Sequence, residues 1–420
     1  MKILWITSVL FPEAESLLTG NIVDLTASGG WLLGAADSIS KLSNVDLHIA
    51  CPARVNNYVK LVGNHITYHL YKGPMLHDWP ENDAVWSEML NLVAPDLIHI
   101  WGTEYASTLS VLRVAERRNL PSLISIQGFK ISCAYHLLDG ISIIDILKSG
   151  KSIQWGIMKK IRSGLLGEKI EYYKSAANEI KALRLAENII GRTKWDKKLS
   201  MIINPSLRYY HCDEILRNVF YNGIWEYNKC KKYTIFHSNG ANTLKGLHQI
   251  IKVFPYILRR YPEAQLIVAG NDVWKLADSG DYYAKIIVSM LRRKKLESKV
   301  YFCGNLDASA MKEQLLKSNV FILPSSIENS SNALAEAQLL GIPVIASKRG
   351  GTPTMIQDSR CGLTYQYHNV TKLAKLICKT FENSSNFDNT YMRDVARKRH
   401  EKTNNMQNLL TIYDECLTSR

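Results

Sequence analysis

Short apolar segments alternate with longer amphipathic segments along most of the chain. In the first half, the pattern predicts strands at Lys2–Ser8, Asp46–Ala50, Asp96–Trp101, Pro121–Ile126 and Ile189–Gly191, helices at Trp31–Leu42 and Ala106–Arg118, and a long, mostly helical insert at Ile141–Ala186. Apolar runs bounded by turn residues are typical of buried strands. Because helices separate these strands, we expect them to lie parallel in one sheet.

The second half repeats this alternation, starting near Lys232. The predicted strands are Tyr233–His237, Ala264–Ala269, Val300–Phe302, Val320–Leu323 and Pro343–Ala346, and the predicted helices are Gly246–Tyr261, Ala308–Ser318, Ser331–Leu340, Lys372–Phe381 and the final stretch to about Cys416. Two α/β series in tandem predict two Rossmann-like domains, residues 1–225 and 226–399. The linker is expected between Asn218 and Lys232.

Composition places the chain among ordinary globular proteins, with 46% hydrophobic and 21% charged residues. The eight cysteines are scattered and form no CxxC motif, which argues against a disulfide scaffold or a zinc site and indicates a reducing cytosol. The N-terminal KILWITSVL lacks the features of a signal peptide, and no apolar run approaches the ~18 residues that span a bilayer. We therefore expect a cytoplasmic protein, either soluble or at the inner face of the membrane.

The net charge of +14 is compatible with nucleic acid, anionic lipid or phosphorylated ligands, and also with a merely solvated basic surface. No nucleic-acid-binding module is recognised and the basic residues are spread out, so we expect no nucleic-acid partner. The basic segment 148–174 is interleaved with apolar residues. This mixture indicates peripheral contact with an anionic membrane, or else an ordinary amphipathic helix packed on its own domain.

The candidate chemistry is concentrated in Leu323–Gly351, which reads LPSSIENSSNALAEAQLLGIPVIASKRGG. Glu328 and Glu336 lie eight positions apart, on either side of a predicted helix start. The helix start and the final turn are formed by small or polar residues, namely Ser330, Ser331, Asn332, Gly350 and Gly351. Helix-start amides attract anions, and glycine permits close backbone approach. The simple alternative is a capped surface helix with two solvated glutamates.

This order of elements resembles the donor-site signature of the retaining GT-B glycosyltransferases of family 4, of the type used in bacterial surface polysaccharide and lipopolysaccharide biosynthesis. The resemblance implies an α/β GT-B architecture, with two Rossmann-like domains facing a cleft and a C-terminal helix, residues 400–420, that crosses back to the first domain. It implies a hexosyltransferase that moves a sugar from a UDP- or GDP-type nucleotide sugar to a glycan or lipid-linked acceptor. It implies no metal and no other cofactor.

The resemblance also assigns roles to single residues of the second domain. Glu336 would bind the ribose hydroxyls, Glu328 the hydroxyls of the transferred sugar, and Lys245 the donor phosphates. The amides of Ser330, Ser331 and Asn332 would face the diphosphate, and Gly350 and Gly351 would let the backbone approach the donor. Where the family usually carries a Gly-Arg pair, this chain has His237–Asn242, from which Asn239 is a further predicted donor contact. Neutralisation of the phosphates should then depend on Lys245, amides and Arg349.

Two segments of the first domain carry weaker signals. Gly29 and Gly30 precede its first helix, and a similar turn in the family approaches the diphosphate. Gln127 ends a strand at the sheet edge where ligands bind. Glutamine cannot act as a general base, which fits a retaining mechanism in which the leaving phosphate accepts the proton of the acceptor. Thr354 stands where the family often has a glutamate, so no carboxylate is assigned there.

Three further sites are open to a structural or a ligand-binding interpretation. Arg192–Asp196 follows the last strand of the first domain and would either bind acceptor or stabilise the hinge. His99, in an apolar strand, is expected to be a hydrogen-bonded core residue. His136 is a weak candidate for acceptor contact. For the whole chain, the alternatives to a transferase are a GT-B-fold sugar-nucleotide epimerase and a non-catalytic binding subunit.

Overall fold

The computed structural model describes residues 1–21, 30–73, 82–149 and 164–418. They form two compact units: Met1–Ile131, Lys174–Arg217 and His400–Arg420 make up the first, and Ser132–Tyr173 and Asn218–Arg399 the second. The predicted boundary at residue 225 differs from this division. Ser132–Tyr173 and residues 218–225 were expected in the first domain but group with the second unit.

The sheet of the first unit has eight strands among the described residues: β1 (Lys2–Ile6), β2 (Asp46–Ala53), β3 (Val59–Val62), β4 (Ile66–Lys72), β5 (Leu97–Trp101), β6 (Ser122–Ser125), β7 (Asn188–Gly191) and β8 (Arg208–His211). Their order is β3-β4-β2-β1-β5-β6-β7-β8. Within this described part, neighbouring strands are parallel except for the antiparallel pair β3 and β4. Parallel strands buried on both faces are typically Val-, Ile- and Leu-rich, which is why the sequence pattern identified most of them.

Among the residues that the structure describes, the α-helices up to the end of this sheet are α1 (Pro12–Thr19), α2 (Gly30–Ser40), α3 (Asp83–Val93), α4 (Ala106–Arg117), α5 (Lys130–His136), α6 (Ile143–Ser149), α7 (Gly164–Leu185) and α8 (Lys194–Ile203). Helix α1 was not predicted, since the sequence pattern indicated no helix or strand between Ser8 and Trp31. Pro12 stands at its first position and Phe11 and Ala14 are buried, so proline's fixed φ and two apolar contacts start a helix there.

The sheet of the second unit has six strands in the described part: β9 (Thr234–His237), β10 (Gln265–Val268), β11 (Val300–Phe302), β12 (Val320–Leu323), β13 (Val344–Ser347) and β14 (Leu363–Tyr365). Their order is β11-β10-β9-β12-β13-β14, and the neighbouring pairs are parallel. The remaining helices are α9 (Leu247–Arg260), α10 (Val273–Asp278), α11 (Tyr282–Lys294), α12 (Ala308–Lys317), α13 (Asn332–Leu340), α14 (Thr352–Met355), α15 (Val370–Asn383), α16 (Thr390–Arg399) and α17 (Lys402–Thr418).

Two sets of contacts explain the division into units. Helix α17 belongs to the first unit because the hydroxyl of Tyr413 accepts a hydrogen bond from Trp5 Nε1 at 3.0 Å and contacts His99 Nδ1 at 2.7 Å. The segment that begins at Ser132 belongs to the second because Leu165 is completely buried in that unit's core. In the same segment, the carbonyl of Asp139 accepts a hydrogen bond from the hydroxyl of Tyr367 at 2.8 Å.

Candidate donor site of the second unit

Loops after three neighbouring strands carry the predicted donor residues. Lys245 follows β9, Glu328 follows β12, and Gly350 follows β13, and these strands lie side by side in the order β9-β12-β13. Because the carboxyl ends of parallel strands meet at one edge of a sheet, the three loops lie together. Residues separated by more than 100 positions of sequence therefore belong to one place on the surface of the unit.

Lys245 and Glu328 form an ion pair at this edge. The Nζ of Lys245 lies 2.6 Å from Oε1 of Glu328, and the hydroxyl of Ser325 donates to the same oxygen at 2.8 Å. The exposed fractions of the two side chains are 31% for the lysine and 10% for the glutamate. The carboxylate of Glu328 is therefore fixed by these contacts and is not a solvated surface group.

Glu336 is buried in α13, where its exposed fraction is 3%. Helix α13 is capped at its start by Ser331, whose hydroxyl accepts from the amide of Leu334 at 3.4 Å, and at its end by Gly341 with φ 84°. Because Glu328 is also largely buried, the simple alternative of a surface helix with two solvated glutamates does not hold. The amide of Ser331 donates to the thioether of Met355 at 3.3 Å, and a thioether is a weak acceptor.

Two glycines hold the three loops against one another. At Gly246 φ is +75°, and a Cβ would lie 2.1 Å from the carbonyl oxygen of Pro324. At Gly350 φ is +55°, and a Cβ would lie 2.0 Å from the carbonyl oxygen of Glu328. The amide of Gly351 donates to that same oxygen at 2.8 Å. These glycines are thus required by backbone contact between loops, in addition to any approach of a ligand.

Arg349, a predicted source of positive charge, is held by the segment that precedes α6. Its guanidinium contacts the carboxylate of Asp139 at 3.4 Å and Nε2 of His368 at 2.9 Å, and it lies over the ring of Tyr367. Burial acts against ionisation of Asp139, but the hydrogen bond from His136 and the charges of His136 and Arg349 lower its pKa. The charge of Arg349 is therefore shared with a carboxylate.

Two polar residues at the end of β9 and in the loop after it, Asn239 and His237, received different predictions from the sequence. The side-chain oxygen of Asn239 accepts from the amides of Ala241 and Asn242, both at 3.2 Å, so this predicted donor contact also shapes the loop. His237 was not singled out, although it is the last residue of β9 and completely buried. Burial lowers its pKa to about 4, so the imidazole is neutral at neutral pH. Its position at the strand end was the available signal.

The predicted site residues of the first unit are Gly29, Gly30 and Gln127. Gly29 lies outside the described residues, and Gly30 is the first residue of α2. Gln127 lies two positions beyond β6, and its side-chain oxygen accepts from the guanidinium of Arg192 at 3.2 Å. Arg192 is buried and forms an ion pair with Glu214, which gives it a structural role.

Contacts within the protein describe three other sites that the sequence singled out. Thr193 and Asp196 form a capping box at the start of α8, which favours the structural interpretation of this segment. His99 is completely buried and bonded to Tyr413 and to the hydroxyl of Ser125 at 2.8 Å, so the prediction of a core histidine is confirmed. His136 groups with the second unit, where its Nδ1 contacts Asp139 at 2.8 Å.

Most of the basic segment 148–174 lies outside the described residues, which resume at Gly164. Leu165, one of its apolar residues, is completely buried in the core of the second unit and does not face solvent. In the part of the chain that the structure describes, none of the helices is both long and apolar enough to cross a membrane. The same part contains no group of three or more His, Cys, Asp or Glu side chains placed to hold a metal ion.

Comparison with known proteins finds a family match within the second unit. Residues 224–399 match the family described as "Glycosyl transferases group 1". The chain is 29% identical over 147 residues to a GDP-mannose-dependent monoacylated alpha-(1-6)-phosphatidylinositol monomannoside mannosyltransferase of Corynebacterium glutamicum, covering 33% of this chain and 35% of that protein. It is 27% identical over 218 residues to the O-antigen biosynthesis glycosyltransferase WclY of Escherichia coli, covering 46% and 56%. The chain thus spans about a third to a half of the length of these relatives.

Solved structures extend the similarity to the whole fold. Sucrose-phosphate synthase from Thermosynechococcus elongatus superposes with a TM-score of 0.73 at 14% identity, over the full length of both chains. Anabaena HepE in complex with UDP superposes with a TM-score of 0.66 at 15% identity, over 99% of this chain and 100% of that one. The predicted α/β fold class is confirmed. The chain has the fold of GT-B glycosyltransferases, and its residues 224–399 match glycosyl transferases group 1.

Proposed function

We propose that the protein is a retaining glycosyltransferase that moves a sugar from a UDP- or GDP-type nucleotide sugar to a hydroxyl of a glycan or lipid-linked acceptor. The observation that carries the proposal is the meeting of Lys245, Glu328 and the start of α13 at one sheet edge, within the segment that matches glycosyl transferases group 1. A sugar diphosphate needs a cation and backbone amides for its phosphates, and hydrogen-bond acceptors for its sugar hydroxyls. Lys245, the start of α13 and Glu328 would supply these groups.

The diphosphate would be held by Lys245 and by the first amides of α13, those of Ser330, Ser331 and Asn332. A helix start carries a partial positive charge that favours an anion. The amide of Ser331 donates to the thioether of Met355, a weak acceptor, so exchange for a phosphate oxygen would give a stronger hydrogen bond. Arg349 would contribute once its contact with Asp139 is exchanged for the ligand.

The hydroxyl groups of the donor would be bound by the two glutamates, Glu336 at the ribose and Glu328 at the transferred sugar. Glu328 and Lys245 form an ion pair, in which each charge compensates the other. When the donor binds, Lys245 would turn to the phosphates and Glu328 to the sugar hydroxyls. The pair thus keeps two half-buried charges compensated until the donor replaces each partner.

The chemical step would be the departure of the nucleoside diphosphate from the sugar while the acceptor hydroxyl attacks from the same face. Lys245 and the α13 amides would stabilise the negative charge that develops on the leaving phosphate, and this is the main expected catalytic contribution. The leaving phosphate would take the acceptor proton, so no protein base is needed. Gln127, which has no titratable group, would serve only to position the acceptor. We propose that the reaction needs neither a metal ion nor another cofactor.

The acceptor is proposed to be a glycan or a lipid-linked glycan, reached by peripheral contact with an anionic membrane. Helix α6 exposes Ile143, Ile144 and Leu147, with exposed fractions of 75%, 62% and 49%, and the basic segment 148–174 follows directly. Apolar side chains beside lysines and arginines favour binding to anionic lipid. Two relatives support a surface-glycan role by name, the phosphatidylinositol monomannoside mannosyltransferase and the O-antigen biosynthesis enzyme.

Transfer with defined stereochemistry tests the proposal. The purified chain is incubated with a panel of UDP- and GDP-sugars and a set of polyprenyl- and glycan-type acceptors, and the anomeric configuration of the product is read by NMR. The expected result is a product with the configuration of the donor. An inverted product would overturn the retaining mechanism. Isomerisation of the donor with no acceptor product would favour an epimerase, and binding without any turnover a non-catalytic subunit.

A further inference from the structure

A polar pocket of about 280 Å³ lies beside the loop that carries Lys245. Its walls come from the loops after β9, β10 and β11 and from the start of α7 and α11, and its side chains include Asn239, Asn242, Asn271, Asn305, Glu168 and Asp281. The pocket therefore opens at the carboxyl edge of the sheet, where parallel sheets bind ligands. Its lining offers hydrogen bonds almost throughout, in contrast to the mostly apolar lining of a typical small-molecule site.

The pocket and the candidate phosphate site share one turn of chain. The side chain of Asn242 accepts from the amide of Leu244 at 2.9 Å and caps the turn Thr243–Lys245. Asn242 lies three positions before Lys245, so ~11 Å of backbone at most joins the pocket wall to the lysine. A nucleoside diphosphate whose phosphates contact Lys245 would place its base at or near this pocket.

The asparagines are partly committed to contacts with one another. The amide of Asn305 donates to the side-chain oxygen of Asn271 at 3.0 Å, and Asn239 accepts two backbone amides of its own loop. Asp281 caps α11 by accepting the amide of Ala284 at 2.7 Å. These bonds fix the wall and leave each asparagine amide a further donor or acceptor group to offer a ligand.

Glu168 reaches the pocket from an element distant in sequence. It lies on the second turn of α7, three positions after Leu165, which is completely buried in the core of the second unit. This anchor holds the half-buried carboxylate at the pocket wall. An ionised carboxylate only accepts hydrogen bonds, and its two oxygens accept two parallel donors well.

We propose that this pocket takes the base of the donor and that Glu168 selects guanine; the proposal rests on the proposed function. Guanine presents two adjacent donors, its ring N1–H and its exocyclic amine, which match the two oxygens of a carboxylate. Uracil presents one N–H between two carbonyl oxygens, and these oxygens would face the negative charge. In adenine and cytosine, a ring nitrogen with a lone pair lies beside the amino group, and this lone pair would repel a carboxylate oxygen. The asparagine amides would donate to the guanine O6.

Calorimetric titration of the full chain with GDP, IDP, UDP and ADP tests this selection. We expect GDP to bind wild type at least ~10-fold more tightly than UDP, with IDP, which lacks the exocyclic amine, in between. Glu168→Gln should weaken GDP binding ~10- to 100-fold, the range for loss of a hydrogen bond to a charged group, and leave UDP binding as tight or tighter, because the charge that faces the uracil oxygens is removed. The matched control is Glu171→Gln, an exposed glutamate on the same helix, which should change neither.

The outcomes separate this inference from the proposed function. If UDP binds wild type as tightly as GDP does, or Glu168→Gln leaves the GDP-to-UDP ratio unchanged, guanine selection by Glu168 is overturned while the donor site stands. If none of the nucleoside diphosphates binds, the donor site itself fails and both proposals fall. Retained or tighter UDP binding by Glu168→Gln shows that the variant is folded, and the IDP comparison on wild type needs no variant.

Discussion

The Nζ of Lys245 lies 2.6 Å from Oε1 of Glu328, although 83 positions of sequence separate the two residues. They meet because β9 and β12 are neighbours in a parallel sheet and each residue lies in the loop that follows its strand. The ion pair has a consequence for mutagenesis, since removing one member leaves the charge of the other uncompensated. A ligand that contacts only Lys245 or only Glu328 can therefore distinguish the roles of the two residues.

Glu328→Ala should affect the nucleotide and the nucleotide sugar in opposite ways. Without the carboxylate, Lys245 is released for the phosphates, so a nucleoside diphosphate should bind the variant as tightly as wild type or up to ~10-fold more tightly. The nucleotide sugar loses a charged hydrogen bond to its hydroxyls, and kcat/KM should fall ~10-fold or more. Calorimetry and initial rates measure the two effects.

The control for this experiment is Glu313→Ala, which removes a glutamate of α12 whose side chain is 67% exposed. It should leave both binding and turnover at wild-type values. An equal loss of affinity for the nucleotide and the nucleotide sugar in Glu328→Ala would contradict the separate roles of Glu328 and Lys245.

Gly246→Ala should destabilise the second unit more than a glycine substitution that strains φ alone. Its added Cβ would lie 2.1 Å from the carbonyl of Pro324 and force two loops apart. Gly304→Ala is the matched control, because φ is +74° there and nothing lies within 4 Å of the added Cβ. We expect a loss of ~1–2 kcal/mol for the control and ~2 kcal/mol more for Gly246→Ala, measured by urea unfolding. Equal losses would show that the loops do not need this contact.

Glu179 should make unfolding depend on pH in a defined direction. Burial raises its pKa from 4.5 to about 7, despite hydrogen bonds from the hydroxyl of Thr103 and the amide of Ile131. A raised carboxyl pKa stabilises the folded state fully below pH 4.5, and that stability is lost as pH rises through 7. From pH 5 to pH 8, this group should lower the free energy of unfolding by ~2–3 kcal/mol.

Glu179→Gln, which mimics the protonated carboxyl, isolates this contribution. Buried histidines such as His99 titrate with the opposite sign, since burial lowers the pKa of His99 to about 3, but they are present in both proteins and cancel in the difference. Relative to wild type, the variant should gain ~2–3 kcal/mol between pH 5 and pH 8 in chemical unfolding. A difference that does not change with pH would mean that Glu179 is ionised in the folded protein at pH 5.

Leu147→Asp should weaken binding to anionic vesicles at low salt. Leu147 lies on the exposed apolar face of α6, and a carboxylate there would remove apolar contact and repel anionic headgroups. Ile202→Asp, on α8 of the first unit and 66% exposed before substitution, is the matched control. Co-sedimentation should show a loss of ~10-fold for the first variant only. Wild type that stays in the supernatant with phosphatidylglycerol vesicles would refute membrane contact.

The strands of the second unit were predictable because they are continuous apolar runs closed by turn residues, as at Val320–Leu323 before Pro324. The hairpin β3–β4 of the first unit was not, because Val59–Val62 is half exposed and Ile66–Lys72 buries polar side chains such as His69. The ring nitrogens of His69 form hydrogen bonds with His48 and Tyr58, and the local pattern of apolar and polar residues does not reveal such contacts.

The candidate site was predictable in part. The acids, Lys245 and the helix start were found through a family resemblance, and the adjacency of β9 and β12 brings them together. The assignment of Ser132–Tyr173 to the second unit was not predictable from the sequence. It depends on contacts between residues more than 100 positions apart, such as those of Asp139 with Tyr367 and Arg349. The pocket wall formed by Glu168 was missed for the same reason.

A nucleotide-sugar site at the start of α13 is tested most directly by measuring the Tm of the protein with UDP, GDP, ADP, CMP and their sugar conjugates. A ligand at 100 times its Kd stabilises the folded state by ~2.7 kcal/mol, which raises the Tm measurably. We expect one nucleotide and its sugar conjugates to raise the Tm of wild type, and Glu336→Gln to lose most of this increase. No increase with any nucleotide, or an undiminished increase in Glu336→Gln, would contradict the presence of this site.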